Sequence, residues 1–149
     1  MPLLEPTGRS REARSPRAVD WPAGGDGALA AGRRVLVVDD EEDVRQFVRF
    51  ILEDAGYVVD CAADGQQALR SIAAGRPDLV VLDLMMPEMD GWEVLDQLQH
   101  TTRPPRVIVL SAFADSARAI KAGATDCLSK PFRFGHLLEA CRRALGRDQ

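Results

Sequence analysis

The sequence has few of the features that mark disulfide-rich, zinc-binding, secreted or membrane proteins. Its three cysteines, Cys61, Cys127 and Cys141, are an odd number and far apart, with no CxxC pair, so neither a disulfide framework nor a zinc site is indicated. We expect them to be small buried residues in a reducing compartment. No apolar run approaches the roughly 18 residues of a membrane span, and the arginine-containing N-terminus has no apolar segment behind it. The sequence therefore predicts a cytoplasmic protein without a membrane partner.

Motifs of nucleotide binding and of common hydrolases are also missing. There is no GxxxxGK(S/T), and no GxGxxG follows the first apolar run, so nucleotide cradles are not expected. Both histidines, His100 and His136, fall in predicted surface helices, which argues against a Ser-His-Asp site. The net charge of -4 argues against direct contact with nucleic acid.

The composition changes along the chain, and this change predicts the domain boundaries. Residues 1–32 are rich in Pro, Gly, Arg and Ser without any period, which is typical of a disordered leader. This leader could equally be a docking tail or the result of a start codon assigned too far upstream. Residues 33–146 have the length and balance of one globular domain, and residues 147–149 form a short tail.

From Arg33 onward, apolar strands alternate with amphipathic helices. The predicted strands are "RVLVVDD", "YVVDCA", "PDLVVLD", "PPRVIVLS" and "ATDCLSK". They are followed in turn by the predicted helices "EEDVRQFVRFILEDAG", "DGQQALRSIAAG", "GWEVLDQLQH", "ADSARAIKAG" and "PFRFGHLLEACRRAL". Five such repeats predict an α/β fold with a doubly wound, five-stranded parallel sheet. In the first helix, the spacing predicts one buried face made of Val44, Phe47, Val48, Ile51 and Leu52.

Polar residues stand where four of these strands end. They are Asp39, Asp40, Asp83, Ser111 and Lys130. Because ligands of open α/β sheets bind beyond the carboxyl ends of the strands, we expect the five to form one site. Each residue alone has a simpler explanation, such as a helix cap for an aspartate, but the set does not.

The residue types in this set indicate phosphoryl transfer. Three crowded carboxylates repel one another, and a hard divalent cation such as Mg²⁺ relieves that repulsion. Lys130 and Ser111 can hold phosphoryl oxygens, which leaves Asp83 as the nucleophile. A metal-dependent phosphohydrolase of the haloacid dehalogenase type fits less well. It needs a second acid two residues after the nucleophile, where this sequence has Met85.

The segments "VLVVDDEEDVR", "DLVVLDLMMPEMDGWEVL", "VIVLSA" and "GATDCLSKPF" resemble the receiver domain of two-component response regulators. The resemblance runs from about Arg33 to Leu145. It implies a CheY-like fold with strand order 2-1-3-4-5. Asp83 would accept a phosphoryl group from a histidine kinase or a phosphotransfer protein. Such a domain is no enzyme beyond its own phosphorylation and dephosphorylation.

The resemblance also implies roles for the residues near Asp83. Asp40 would ligate Mg²⁺ directly, Asp39 directly or through water, and Met85 through its backbone carbonyl. Ser111 and Lys130 would hold the phosphoryl oxygens.

Two prolines and one glycine would shape the loops of the site. The resemblance implies that Pro131 follows a cis peptide bond, and that Pro87 and Gly91 shape the loop after Asp83.

Some positions depart from the usual pattern of the family. Cys127 stands where receivers usually carry Tyr or Phe, and the segment from Ser111 to Lys130 is shorter than usual by nearly one helical turn. Cys127 predicts weaker coupling of phosphorylation to the face formed by the fourth helix, the fifth strand and the fifth helix. The shorter segment predicts a trimmed fourth helix or a tighter loop before it, which argues against a dimer built on that face. The apolar side chains of Met85 and Phe113 should hinder attacking water and predict a long-lived phosphoryl state.

The last predicted helix is followed only by "GRDQ", so the sequence predicts a single-domain response regulator. It would act on a downstream protein partner or as a phosphorelay shuttle, as a monomer or a weak phosphorylation-dependent dimer. The alternative is a scaffold or binding module that uses the receiver fold without phosphorylation.

Overall fold

The computed structural model of the chain describes residues 32–111 and 116–146. Phe113 and the predicted tail 147–149 lie outside these ranges, as does the predicted leader apart from Gly32.

Strands and helices alternate throughout the two ranges. The strands are β1 Arg34–Val38, β2 Val58–Ala62, β3 Leu79–Asp83, β4 Arg106–Ser111 and β5 Asp126–Ser129. The helices are α1 Glu42–Asp54, α2 Gly65–Gly75, α3 Gly91–Leu98, α4 Ser116–Lys121 and α5 Phe134–Gly146. The strands form one sheet in the order β2-β1-β3-β4-β5, and every neighbouring pair is parallel. The predicted fold class and strand order are confirmed.

Helices cover both faces of the sheet, which explains why the central strands are apolar throughout. On one face, Val48 and Leu52 of α1 pack with Leu137 and Cys141 of α5. The other face is covered by α2, α3 and α4 through residues such as Ile72, Leu95 and Ala119. Within the described ranges, no helix combines the length and the apolar character of a membrane span.

The predicted inner face of α1 is wrong at Phe47. Val48, Ile51 and Leu52 are buried, whereas the Phe47 side chain is 52% exposed and Val44 is only partly buried. Phe47 lies on the flank of the helix and borders a groove beside the β5–α5 loop instead of packing on the sheet. Helical spacing alone does not distinguish this flank from the inner face.

The expected burial of the three cysteines holds for one of them. Cys141 is buried in α5, and burial raises the pKa of its thiol to about 12. Cys61 and Cys127 are partly exposed because they belong to β2 and β5, the two edge strands of the sheet.

Helices α2 and α3 have side-chain N-caps, whereas α1 does not. Asp64 caps α2 by accepting a hydrogen bond from the backbone N–H of Gln67 at 2.8 Å, and Asp90 caps α3 through the N–H of Glu93 at 3.0 Å. The N-cap residue of α1, Glu41, makes no such side-chain bond. The turn before α1 is therefore held by other groups, which lie in the candidate site.

Gly91 allows the start of α3 to lie directly against the end of β3. Its N–H donates to the carbonyl of Leu84 at 3.0 Å. A Cβ atom added at this position would lie 2.5 Å from the carbonyl oxygen of Asp83 and 2.6 Å from Cα of Leu84. Because both neighbours are backbone atoms, no rotamer change can relieve the clash.

We predict that Gly91→Ala destabilises the fold by about 2 kcal/mol, since overpacking of this kind forces the backbone to shift. Urea unfolding followed by circular dichroism measures the change. Gly135→Ala is the matched control, because a Cβ at Gly135 in α5 meets no atom within 4 Å. It should leave stability unchanged or raise it by up to about 1 kcal/mol. Equal stability of the wild type and Gly91→Ala would contradict the argument.

Candidate functional site

The carboxyl edge of the sheet brings together residues from four strands. Asp39 follows β1 directly, Asp83 ends β3, Ser111 ends β4, and Lys130 follows β5. Their register is fixed by the ladder, in which Asp83 pairs with Leu110. The backbone N–H of Lys130 donates to the carbonyl of Ser111 at 2.6 Å, which joins the ends of β4 and β5.

The three aspartates form one cluster. One carboxylate oxygen from each of Asp39, Asp40 and Asp83 lies within 4.8 Å of those of the other two. Asp39 and Asp83 are buried, with 1% and 4% of their surfaces exposed, while Asp40 is exposed to solvent. Ser111, which ends the neighbouring strand β4, is also buried, at 2% exposure. The site therefore has two buried acids and a third acid open to solvent.

Lys130 is the cation at the centre of this cluster. Its Nζ lies 3.5 Å from Oδ2 of Asp39 and 3.4 Å from Oδ1 of Asp83. Burial lowers the pKa of Lys130, but the two carboxylates raise it by more, so the net pKa is raised and the ammonium stays charged. One positive charge is thus shared between two buried negative charges.

The pKa of Asp83 is raised above its ordinary value. Burial is the largest cause, and repulsion by Asp39 adds to it. Lys130 and the backbone N–H of Met85, which donates to Oδ1 at 3.2 Å, act in the opposite direction but do not cancel the rise. The ionised carboxylate is therefore under-compensated by the charges of this chain alone.

The residues of the cluster fit a hard divalent cation. Oδ1 of Asp39 accepts a hydrogen bond from the N–H of Glu41 at 2.9 Å. Among the side chains of residues 32–111 and 116–146, Oδ2 of Asp39 is the buried polar atom without a hydrogen bond. The Nζ of Lys130 lies 3.5 Å from this oxygen and forms a long ion pair with it. An all-oxygen set with an unsatisfied buried carboxylate oxygen is the ligand type that Mg²⁺ prefers.

The loops around the cluster have the expected backbone features. The Lys130–Pro131 peptide bond is cis. Met85 follows β3 with its side chain 71% exposed, and its N–H bond places its main chain beside the Asp83 carboxylate. Pro87 is exposed, and Gly91 contacts the backbone at the end of β3.

Cys127 lies on β5, where it pairs with Val109 of β4. Its side chain is partly buried against the core formed with α2, α3 and α4. Phe113, which is expected together with Met85 to hinder attacking water, lies outside the described ranges.

A groove of about 560 Å³ borders the site and was missed in the sequence analysis. It is lined by Val44, Phe47, Phe132 and Pro131, and also by Lys130, which belongs to the acid cluster. The helical spacing gave the wrong placement of Phe47. The sequence feature that could have indicated the groove is Phe132, an apolar residue directly after Lys130 and Pro131.

The sequence matches the family profile described as "Response regulator receiver domain" over residues 35–142. Among curated proteins, it is 45% identical over 117 residues to response regulator MprA of Mycolicibacterium vanbaalenii and 44% identical over 119 residues to MprA of Mycobacterium ulcerans. These matches cover 76% and 78% of this chain and 51% of each relative. The chain thus spans about half the length of the curated relatives it matches.

Solved structures agree with these matches. The receiver domain of the Francisella response regulator 1452 is 32% identical with a TM-score of 0.75, covering 79% of this chain and 100% of that domain. A putative response regulator from Chloroflexus aurantiacus is 30% identical with a TM-score of 0.74, covering 78% and 99% of the two chains. The chemotaxis protein CheY4 of Vibrio cholerae is 34% identical with a TM-score of 0.70, at 76% and 99% coverage.

We predict that Mg²⁺ raises the melting temperature of the wild type, because a cation bound only by the folded acid cluster stabilises the folded state. Differential scanning fluorimetry with and without excess MgCl₂ measures the shift. Asp39→Asn should lose most of it. The control Asp60→Asn, which removes an exposed acid paired with Arg34 on the edge strand, should keep it. An equal shift in both variants would locate the Mg²⁺ effect elsewhere.

Proposed function

Since this chain belongs to the response regulator receiver domain family, we propose that it is a phosphorylation-dependent switch of two-component or phosphorelay signalling. Asp83 accepts the phosphoryl group from a phosphohistidine of a histidine kinase or a phosphotransfer protein. The observation that carries the proposal is the pairing of Lys130 with both Asp39 and Asp83 inside a cluster of three acids. A module freed from phosphoryl transfer has no need for this arrangement.

The transfer is a direct displacement at phosphorus. Oδ1 of Asp83 is engaged by the Met85 N–H and Lys130, so Oδ2 is the attacking oxygen. The bond between Oδ2 and phosphorus forms as the bond between phosphorus and the histidine nitrogen breaks. The electron pair of the broken bond stays on that nitrogen, and the donor side chain leaves as neutral imidazole with a proton on its other nitrogen.

Asp39, Asp40, Asp83 and the backbone carbonyl of Met85 hold Mg²⁺ in this proposal. When bound, the ion supplies positive charge that offsets the charge of the carboxylates and of the phosphoryl oxygens. Lys130 and the Ser111 hydroxyl hold the phosphoryl oxygens after transfer. In this proposal Pro131 shapes the turn after Lys130, and Pro87 and Gly91 shape the loop after Asp83.

The new phosphoryl group changes the surface through Ser111 and Lys130. Ser111 ends β4, and Lys130 lies between β5 and α5. Such a charge biases a domain between two surface states. The switched face then controls a downstream protein partner, with the chain acting as a monomer or a weak phosphorylation-dependent dimer in the cytoplasm. The net charge of -4 argues against direct contact between this chain and nucleic acid. The chain is a signalling domain, with self-phosphorylation and self-dephosphorylation as its only chemistry.

Three side chains set the strength and duration of the signal in this proposal. Cys127 is too small to act as the ring that swings inward in most receivers, so coupling to the α4, β5 and α5 face is weak. The apolar side chains of Met85 and Phe113 limit attack by water and prolong the phosphoryl state.

We predict that acetyl phosphate with Mg²⁺ phosphorylates the wild type on one residue and leaves Asp83→Asn unmodified, because only the carboxylate is nucleophilic. Phosphate-affinity electrophoresis and mass spectrometry measure the modification. Asp60→Asn is the control and should react like the wild type. A wild-type chain that stays unmodified, yet binds the same partners as Asp83→Asn, would favour the scaffold alternative.

We propose that the groove beside Lys130 is the docking surface for the phosphodonor protein. Its apolar lining, Val44, Phe47 and Phe132, adjoins the site that the donor histidine must enter. Phe47 is 52% exposed and lies beside Val44 and Phe132, so the groove offers a contiguous apolar patch to a partner. Glu41 and Asp43 also line the groove and add acidic groups for charged residues of the donor.

We predict that Phe47→Ala lowers the rate of phosphorylation about fivefold or more when the donor is a histidine kinase that phosphorylates the wild type. Truncation of an anchor of this kind costs over about 1 kcal/mol, which corresponds to about that change in rate. Phosphorylation by acetyl phosphate, which needs no docking, should be unchanged. Radiolabel transfer from the autophosphorylated kinase measures the first rate.

The control for this experiment is Phe50→Ala. Phe50 is 59% exposed on α1 but does not line the groove. Equal rates for both variants with the kinase would place the docking surface elsewhere.

A further inference from the structure

The turn between β1 and α1 is fixed from several directions around Asp39. The N–H of Asp39 donates to the carbonyl of Ala62 at 3.2 Å. Its Oδ1 accepts from the N–H of Glu41 at 2.9 Å. Its own carbonyl accepts a hydrogen bond at 2.8 Å from the guanidinium of Arg45, one turn into α1. These bonds leave Oδ2 as the carboxylate oxygen directed to Lys130.

Arg45 makes up for a missing cap. Glu41, the N-cap residue of α1, forms no side-chain cap bond, so the turn depends on Asp39 and Arg45. Both residues link the same turn to the first turn of α1, where the N–H of Arg45 donates to the carbonyl of Glu41 at 3.0 Å. Arg45 is partly buried, and its bond spans six residues of chain.

We propose that Arg45 is a positioning residue for the cation site, acting through the backbone of Asp39. By holding the Asp39 carbonyl, it fixes the direction of the Asp39 carboxylate and the path of the chain into Asp40. Both carboxylates are then aimed at the cation before it arrives. This inference rests on the proposed function, because it takes Asp39 and Asp40 as the acids that bind Mg²⁺.

The direction of the change in Mg²⁺ affinity when Arg45 is removed distinguishes a positioning role from a simple charge effect. Arg45 is a cation close to a site for another cation, and by Coulomb's law alone its removal would strengthen Mg²⁺ binding. If Arg45 instead prepares the ligands, its removal weakens binding despite the relief of repulsion. Groups that orient metal ligands typically change metal affinity by about 10- to 100-fold when they are mutated.

The test is calorimetric titration of the full-length chain with MgCl₂, with no phosphodonor present. Arg45→Met keeps the apolar stem but loses the donor, and we expect its Mg²⁺ dissociation constant to rise about tenfold. Arg45→Lys keeps the charge and one donor group, so it should recover part of the loss. Arg49→Met is the control, since Arg49 lies one turn further along α1 and pairs with Glu53 at 3.1 Å.

Thermal melting of the apo variants is the second measurement. A fall in melting temperature with an unchanged Mg²⁺ dissociation constant would reduce Arg45 to a structural residue, and tighter Mg²⁺ binding would show a charge effect. Either result overturns the proposal. If Arg45→Met does not fold, Arg45→Lys decides. It must bind Mg²⁺ more weakly than Arg49→Met while melting near the wild type.

The outcomes for this inference and for the proposed function can be told apart. A wild type that binds no Mg²⁺ refutes the cation site and the role of Arg45 together. A wild type that binds Mg²⁺ and reacts with acetyl phosphate, with Arg45→Met equal to it in Mg²⁺ affinity, refutes the role of Arg45 alone.

Discussion

Two buried carboxylates, Asp39 and Asp83, share the single ammonium group of Lys130 at the carboxyl edge of the sheet. The rest of the site follows from this imbalance of charge. Because the folded-state pKa of Asp83 is raised, protonation favours the folded chain at low pH, and this contribution is lost as the pH rises through that pKa. At neutral pH the fold therefore holds an acid that it stabilises poorly. A divalent cation or a phosphoryl group held by Lys130 changes that balance.

The sequence predicts this site well because parallel strands impose a simple rule. Apolar strands covered on both faces end at one edge, so Asp39, Asp83, Ser111 and Lys130 meet there whatever the details of the helices. The exposure of Phe47 could not be predicted in the same way. Adjacent positions of the helical pattern lie on the inner face and on the flank of α1, and the spacing of apolar residues alone does not distinguish the two.

Other features depend on geometry that no short motif encodes. The exposure of Cys61 and Cys127 follows from their strands lying at the two edges, which only the strand order reveals. The bond from Arg45 to the Asp39 carbonyl joins a side chain to the backbone, and such bonds place few demands on the type of the accepting residue. The sequence therefore carries little trace of the acceptor.

The chemistry and its readout place different demands on the chain. Gly91 brings α3 against the Asp83 carbonyl, and the next residue, Trp92, has the guanidinium of Arg118 in α4 3.9 Å from its ring centroid. This contact links the loop after Asp83 to α4 without a ring at position 127. An exposed cation–π pair is worth about 0.5–1 kcal/mol, against about 1–3 kcal/mol for typical coupling between sites. The pair alone is thus too weak to replace an aromatic switch, in keeping with the weak coupling proposed for a receiver with Cys127 at that position.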